Sequence, residues 1–207
     1  MARLRTLLLG TLALLSLAAA AARPQEVVDR LAARIESDVI LLSEVRQLGA
    51  YQQLLDGKRE SDAQLLDRLI DQWIVRTEAE VSRFPRPAAA DVEREVEKLK
   101  KALPAAPQFG GALREADLRG LVAEQLYLSA YLDSRFRPAV QVEPQAIDDY
   151  YSTTFVPLAR SRGETPPPLE SVRDSIRELL IQRGINEQAE RWLKERRARL
   201  HVEKEIA

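Results

Sequence analysis

The chain has 207 residues, 45% of them hydrophobic, which is enough for one domain of ordinary size with a buried core. Its 31 basic and 32 acidic residues give a net charge of −1, so no excess of positive charge marks a nucleic-acid surface. Cysteine is absent, which excludes both disulfides and the lipid anchor of a lipoprotein.

Residues 1–22 have the pattern of a cleavable signal peptide. Two arginines precede an apolar run from Leu7 to Leu17, and several alanines then offer small-residue cleavage sites. The run is shorter than the roughly 20 residues that a membrane-spanning helix needs, which disfavours an uncleaved anchor. We therefore predict export, cleavage between Ala20 and Ala22, and a mature domain covering residues 23–207. Membrane association is expected only if this segment stays attached.

The first part of the mature chain has the alternating pattern of a hairpin. Apolar and polar residues alternate from Leu31 to Ile35, Glu36–Asp38 is a turn signal, and Val39–Leu41 is a second short strand. An isolated hairpin is marginal in water. The segment from Leu200 to Ile206 also alternates, so we predict that it supplies a third strand and that both ends of the mature chain meet in a small antiparallel sheet.

The longest amphipathic segment, Ser61–Phe84, is predicted to be the helix around which the others pack. Ser61 and Gln64 have the spacing of a capping box, and Pro85 ends the segment. At about 1.5 Å per residue the helix would span roughly 36 Å, the width of a small domain. Its apolar residues recur at three- and four-residue spacing: Leu65, Leu66, Leu69, Ile70, Trp73, Ile74 and Val81.

Shorter amphipathic segments predict further helices, so the fold class is mainly α with a small β patch. One helix runs from Glu44 to Asp56 after a Ser43 cap, and another is capped by Asp91. Pro144 fits the first turn of a third helix. The last helix runs from about 169 to 199, and its apolar face changes at Gly184, which indicates either a kink or a change of packing partner.

The helix predicted from about Glu115 to Phe136 is apolar on two sides. One side is hydrocarbon, while the other combines small residues with tyrosines, whose hydroxyls tolerate water. We predict that the tyrosine side is a peptide-binding surface formed by Ala123, Leu126, Tyr127, Ala130 and Tyr131. The alternative is that both tyrosines are half-buried against Trp192 or Phe155 and are structural.

No residue pattern in the chain predicts catalysis. The only histidine, His201, alternates with apolar neighbours and is expected to face solvent. There is no Gly-x-Ser-x-Gly elbow and no glycine loop for phosphate. The carboxylates of Asp148 and Asp149 point about 100° apart on a helix, which does not suit an acid–base pair. We predict a protein that is not an enzyme, with no metal, no cofactor and no small-molecule substrate.

Several strings carry a resemblance to a known family: Val39–Val45 (VILLSEV), Leu65–Asp71 (LLDRLID), Asp149–Tyr151 (DYY), Leu169–Leu180 (LESVRDSIRELL) and Trp192-Leu193. Together with the order of the predicted elements, they resemble the N-terminal domain of SurA-like periplasmic chaperones, a helical, trigger-factor-like peptide-binding domain. The resemblance covers essentially the whole mature chain, although it consists of apolar patterns and no invariant motif.

The resemblance implies a periplasmic protein whose clients are unfolded polypeptides, commonly outer-membrane proteins in transit. Many family members insert a parvulin-type prolyl isomerase domain before the last helix. Here a proline-rich linker, Pro157–Pro168, occupies that place. The resemblance therefore implies a chaperone, or holdase, without isomerase activity. The alternative function is a structural or adaptor protein of the cell envelope that docks on one folded partner.

Overall fold

A computed structural model describes residues 29–103 and 113–206 of the protein. Within these ranges the chain is mainly helical with one small antiparallel sheet, so the predicted fold class is confirmed. The predicted signal peptide lies outside the described residues. In chain order the elements are β1 (Leu31–Ile35), β2 (Asp38–Leu41), α1 (Leu42–Asp56), α2 (Asp62–Val81), α3 (Ala89–Ala102), α4 (Glu115–Phe136), a 3-10 turn (Arg137–Ala139), α5 (Pro144–Tyr150), a π turn (Tyr151–Phe155), α6 (Val156–Ser161), α7 (Leu169–Arg197) and β3 (Val202–Lys204).

The sheet brings together segments near the two ends of the described residues, as the alternating patterns predicted. β1 lies in the middle, antiparallel to β2 on one side and to β3 on the other. Arg34 is opposite Val39 in β2 and Glu203 in β3. Glu36 adopts a left-handed backbone with a φ of 52°, which closes the tight turn between β1 and β2. The buried face of β1 packs against α1 and α2.

α2 is the central helix of the fold, in contact with β1, α1, α4 and α7. Its capping box is the predicted one: the Gln64 N–H donates to the Ser61 hydroxyl (3.3 Å), and the Ser61 N–H donates to the Gln64 side-chain oxygen (3.1 Å). The helix ends at Val81, earlier than the predicted Phe84. The chain turns sharply at Arg83, whose φ is 53°, and this turn directs Phe84 back onto α4.

Two helix starts differ from the prediction. α1 begins at Leu42 rather than Glu44, so Ser43 lies inside the helix and is not its cap. The Glu44 carboxylate accepts the Leu41 N–H (2.7 Å), and the Asp29 carboxylate accepts the Ser43 N–H (3.3 Å). α3 begins at Ala89, so Asp91 lies inside its first turn, where the helix dipole favours a negative charge.

The predicted linker is shorter than the sequence suggested, because Pro157–Ser161 belong to α6. α5, the π turn and α6 form one helical segment, and only residues 162–168 are a loop. Pro157 has no N–H, and its ring crowds the carbonyl of Thr153, four residues earlier. The helix widens into the π turn at that point and continues past the proline instead of ending.

α5, α6, the 162–168 loop and residues 169–183 of α7 form a hairpin that we call the arm. The Tyr151 hydroxyl donates to the Pro167 carbonyl (2.7 Å), and the Tyr151 ring stacks on Phe155 with centroids 5.7 Å apart. Arg173 forms an ion pair with Asp148 (3.2 Å). These contacts tie the loop and the start of α7 to the helix before them.

α7 runs without interruption through Gly184 and changes its packing partner there, which is one of the two predicted explanations. Its first half packs on α5, where the Arg183 guanidinium lies 4.8 Å from the Tyr150 ring centroid. Its second half packs on α2, where Arg197 forms an ion pair with Asp67 (2.7 Å). No helix among the described residues combines the length and apolar character that crossing a bilayer requires.

Candidate functional site

The predicted peptide-binding residues on α4 do not form an open surface, which corrects the expectation that the tyrosine side of the helix faces solvent. Tyr127 and Tyr131 are 1% and 4% exposed and belong to the core. Ala123 and Leu126 are half-buried and pack beside α3. Ala130 is the only one of the five residues that is exposed.

The turn after α2 encloses the two tyrosines. Phe84 packs on both rings, with centroids 6.0 Å from Tyr127 and 5.5 Å from Tyr131. The Tyr127 hydroxyl donates to the Phe84 carbonyl (3.4 Å), and the Arg86 guanidinium covers the same ring at 4.0 Å. Burial raises the pKa of Tyr127. The tyrosine side of α4 is therefore packed in the core. This agrees with the alternative only in part, because the rings are buried rather than half-buried and their aromatic partner is Phe84 rather than Phe155.

A cleft of about 360 Å³ lies instead between α2, α4 and α7. Each of the three helices supplies lining residues three, four or seven positions apart, which share one face of that helix. The floor is apolar and the rim carries amides and a hydroxyl. The floor residues are Val75, Leu128, Leu132, Ile185 and Leu193, and the uncharged polar residues are Gln72, Gln125, Ser129, Gln182 and Asn186.

The charged residues at the cleft are engaged by other charged side chains of the protein. Arg68 forms an ion pair with Glu60. Asp133 accepts hydrogen bonds from Arg137 (2.8 Å), which lower the pKa of Asp133. Asp71 lies 3.7 Å from Arg197, but burial dominates and raises the pKa of Asp71.

Arg137 also ties the arm to α4 at one end of the cleft. Its guanidinium donates to Glu178 of α7 (2.7 Å), and this bond lowers the pKa of Glu178 to about 2. Gln182 donates to both Asp133 (3.2 Å) and Glu178 (3.0 Å). One of the rim amides is thus held by neighbouring carboxylates.

The other three rim amides are available to a ligand. Within residues 29–103 and 113–206, the side chains of Gln72, Gln125 and Asn186 make no hydrogen bond to the protein. Each amide offers a carbonyl acceptor and an NH₂ donor. The cleft therefore combines an apolar floor with uncharged groups that both donate and accept hydrogen bonds.

The sequence signals considered for catalysis do not meet in a site. His201 is exposed and lies 3.1 Å from Glu203. Asp148 pairs with Arg173, whereas Asp149 accepts a hydrogen bond from Gln145 (2.8 Å), so the adjacent carboxylates have different partners. Among the described residues, no group of three or more histidine, aspartate or glutamate side chains is arranged to hold a metal ion.

Sequence reasoning missed the cleft, although two of its signals were present. Gln72 lies on the polar side of α2 in the amphipathic pattern, and Leu128 and Leu132 lie on the hydrocarbon side of α4. Which of these side chains meet depends on how three helices pack. Comparison of the chain with known protein families and with curated proteins finds no match. The resemblance to SurA-like chaperones therefore stays a prediction from the residues quoted above.

Proposed function

We propose that the protein is a periplasmic chaperone of the holdase type, which binds unfolded or extended polypeptides, including outer-membrane protein precursors. The observation that carries the proposal is the cleft between α2, α4 and α7, with its apolar floor, its rim of uncharged amides, and lining charges that face opposite charges of the protein itself. Such a surface suits apolar client segments of many sequences, because nothing in it requires a particular charge.

The proposal includes the absence of prolyl isomerase activity. The loop between α6 and α7, residues 162–168, is too short to hold an additional domain. A protease-coupled assay on a Xaa-Pro peptide is expected to proceed at the uncatalysed rate. Catalysis that survives repurification would contradict this part of the proposal.

The periplasmic location is supported by the signal-peptide pattern of residues 1–22. Mass spectrometry of the protein from the envelope of its source should find a mature chain that begins near residue 23. A mature pool that retains Met1 would contradict cleavage and indicate an anchored protein.

Chaperone activity is tested by blocking the cleft without emptying the core. Ser129 lies at the exposed rim on α4. Ser129→Trp should fill the cleft and reduce the suppression of client aggregation, measured by light scattering with several unrelated unfolded proteins. Ser134→Trp is the matched control, because Ser134 is exposed on the same helix and does not line the cleft.

The same experiment separates the chaperone from the adaptor alternative. A holdase binds many unfolded chains weakly, whereas an adaptor binds one folded partner. If the wild-type protein suppresses aggregation of none of the clients, the chaperone proposal fails. If Ser129→Trp and Ser134→Trp act equally, the cleft is not the client site.

A further inference from the structure

We infer that the cleft recognises the main chain of an extended peptide segment of about four residues, through the side-chain amides of Gln72, Gln125 and Asn186. This inference rests on the proposed function and names the feature of the client that is bound. It starts from the three amides that have no partner within the described chain and that border one apolar floor.

An amide side chain has the same kinds of hydrogen-bonding group as a peptide unit, a carbonyl that accepts and N–H groups that donate. It can therefore pair with a main chain in the way that neighbouring strands pair, by donating to a carbonyl and accepting from an N–H. In an extended segment successive side chains point to opposite faces. Alternate side chains can then enter the apolar floor while the main chain lies between the rim amides.

The size of the cleft sets the length of the bound segment. On α4 the lining residues run from Gln125 to Asp133. At about 1.5 Å per residue these eight steps span roughly 12 Å. An extended chain rises about 3.3 Å per residue, so the cleft holds about four residues. Its volume of about 360 Å³ lies at the lower end of the range for small-ligand pockets.

Two features favour an extended segment over a helix or a charged ligand. A helix uses its backbone N–H and carbonyl groups internally, so it has none to offer to the rim amides. The charged side chains at the cleft, Arg68, Asp71 and Asp133, face opposite charges of the protein itself. Uncharged amides and internally paired charges are complementary to a neutral main chain.

The test compares two fluorescent peptides on the wild-type protein by anisotropy. One is Thr-Val-Thr-Val-Thr-Val-amide with a fluorophore on its N-terminal nitrogen, and the other is the same labelled chain with ester bonds in place of alternate amides. The ester removes an N–H donor and weakens a carbonyl acceptor without adding bulk. Since each hydrogen bond contributes modestly, loss of two should weaken binding about ten-fold. Equal affinity of the two peptides would overturn the inference.

A variant tests whether the three side-chain amides cause the difference in affinity between the two peptides. Replacing Gln72 and Gln125 by Met and Asn186 by Leu keeps side-chain size and removes the amides, so the difference between the two peptides should disappear. Gln47→Met with Gln188→Met is the control, because neither residue lines the cleft, and the difference should persist. If the triple variant retains the full difference, the inference is wrong. If it does not fold, the wild-type comparison still decides.

The remaining outcomes distinguish this inference from the proposed function. If aggregation is suppressed but the parent peptide does not bind, the inference fails and the chaperone function stands. If neither is observed, both fail. If sedimentation shows a dimer of the wild-type protein that the triple variant abolishes, the cleft is an interface between two copies, and the inference is also overturned.

Discussion

Tyr127 is enclosed by Val75, Ala79 and Phe84, so its ring belongs to the core between α2 and α4. Tyr127→Ser should lower the free energy of unfolding by about 3 kcal/mol, the scale expected for an emptied aromatic core site. Tyr127→Phe keeps the ring and loses a long hydrogen bond, so its effect should be under about 1 kcal/mol. Urea denaturation measures both. A loss of less than about 0.5 kcal/mol for Tyr127→Ser would show an exposed site.

Asp71 contributes a pH dependence of stability. Its pKa is raised above the ordinary value of 3.8, chiefly by burial, with Arg197 acting in the opposite direction. At pH values between the pKa of Asp71 in the unfolded chain and its higher pKa in the folded protein, the folded protein binds more protons than the unfolded chain. The free energy of unfolding therefore falls as pH rises through that window. Asp71→Asn removes this fall. The variant should match the wild-type protein at pH 3 and exceed its stability at pH 7, as measured by urea denaturation.

An exposed carboxylate provides the control for Asp71. Asp149→Asn makes the same carboxylate-to-amide change on an exposed side chain of α5, so it is the control for the chemistry of the substitution itself. If Asp71→Asn were less stable than the wild-type protein at pH 7, the attraction of Arg197 would outweigh the burial of the carboxylate.

At the scale of elements, α7 spans two packing environments because Gly184 has no side chain. A Cβ at this position would lie 2.6 Å from Cγ1 of Val140, in the link between the 3-10 turn and α5. Such a contact cannot form without movement of the link or of the helix. The absence of a side chain at Gly184 therefore allows Val140 to pack directly against α7.

Two glycine substitutions test this role. Gly184→Ala should destabilise the protein, and the additional change Val140→Ala should restore stability, since it removes the contacted methyl groups. Gly120 is also helical, on α4, but a Cβ there meets open space. Gly120→Ala should stabilise the protein by about 0.8 kcal/mol through helix propensity. Thermal unfolding measures the stability of each variant. Equal stabilisation by Gly184→Ala and Gly120→Ala would show that Gly184 is not constrained by Val140.

At the scale of the whole molecule, β3 closes the fold by pairing with β1, more than 160 residues earlier in the chain. Lys204 and Arg197 both contact Asp67, which ties the end of the chain to α2. Without β3, one edge of β1 would have no hydrogen-bonding partner and only the β1–β2 hairpin would remain, which is marginally stable by itself.

Deletion of residues 200–207 tests this closure. The loss of β3 and of the Leu200 and Val202 contacts with the core should lower the melting temperature by several degrees. Replacing only the exposed His201 by Ser is the control and should leave melting nearly unchanged. An unchanged melting temperature after the deletion would show that the tail adds no stability.

The sequence by itself determined the elements whose signals are local or periodic. Ser61 and Gln64 cap α2 because the capping box needs only four consecutive residues. The three strands follow from alternation, and the marginal stability of a hairpin predicted that they would pair. The burial of Tyr127 was not determined, because the residue that covers it, Phe84, reaches α4 through a left-handed turn at Arg83.

Only the tertiary structure decided where the candidate site lies. Gln72, Gln125 and Asn186 come from three different helices. The apolar periodicity of one helix does not show which faces of the other helices it contacts. The continuation of the helix past Pro157 depends likewise on packing, since Tyr151 in the π turn donates a hydrogen bond to the Pro167 carbonyl of the loop before α7. Local hydrogen bonds and apolar spacing fix single elements, whereas the contacts between elements follow from the packing of the whole core.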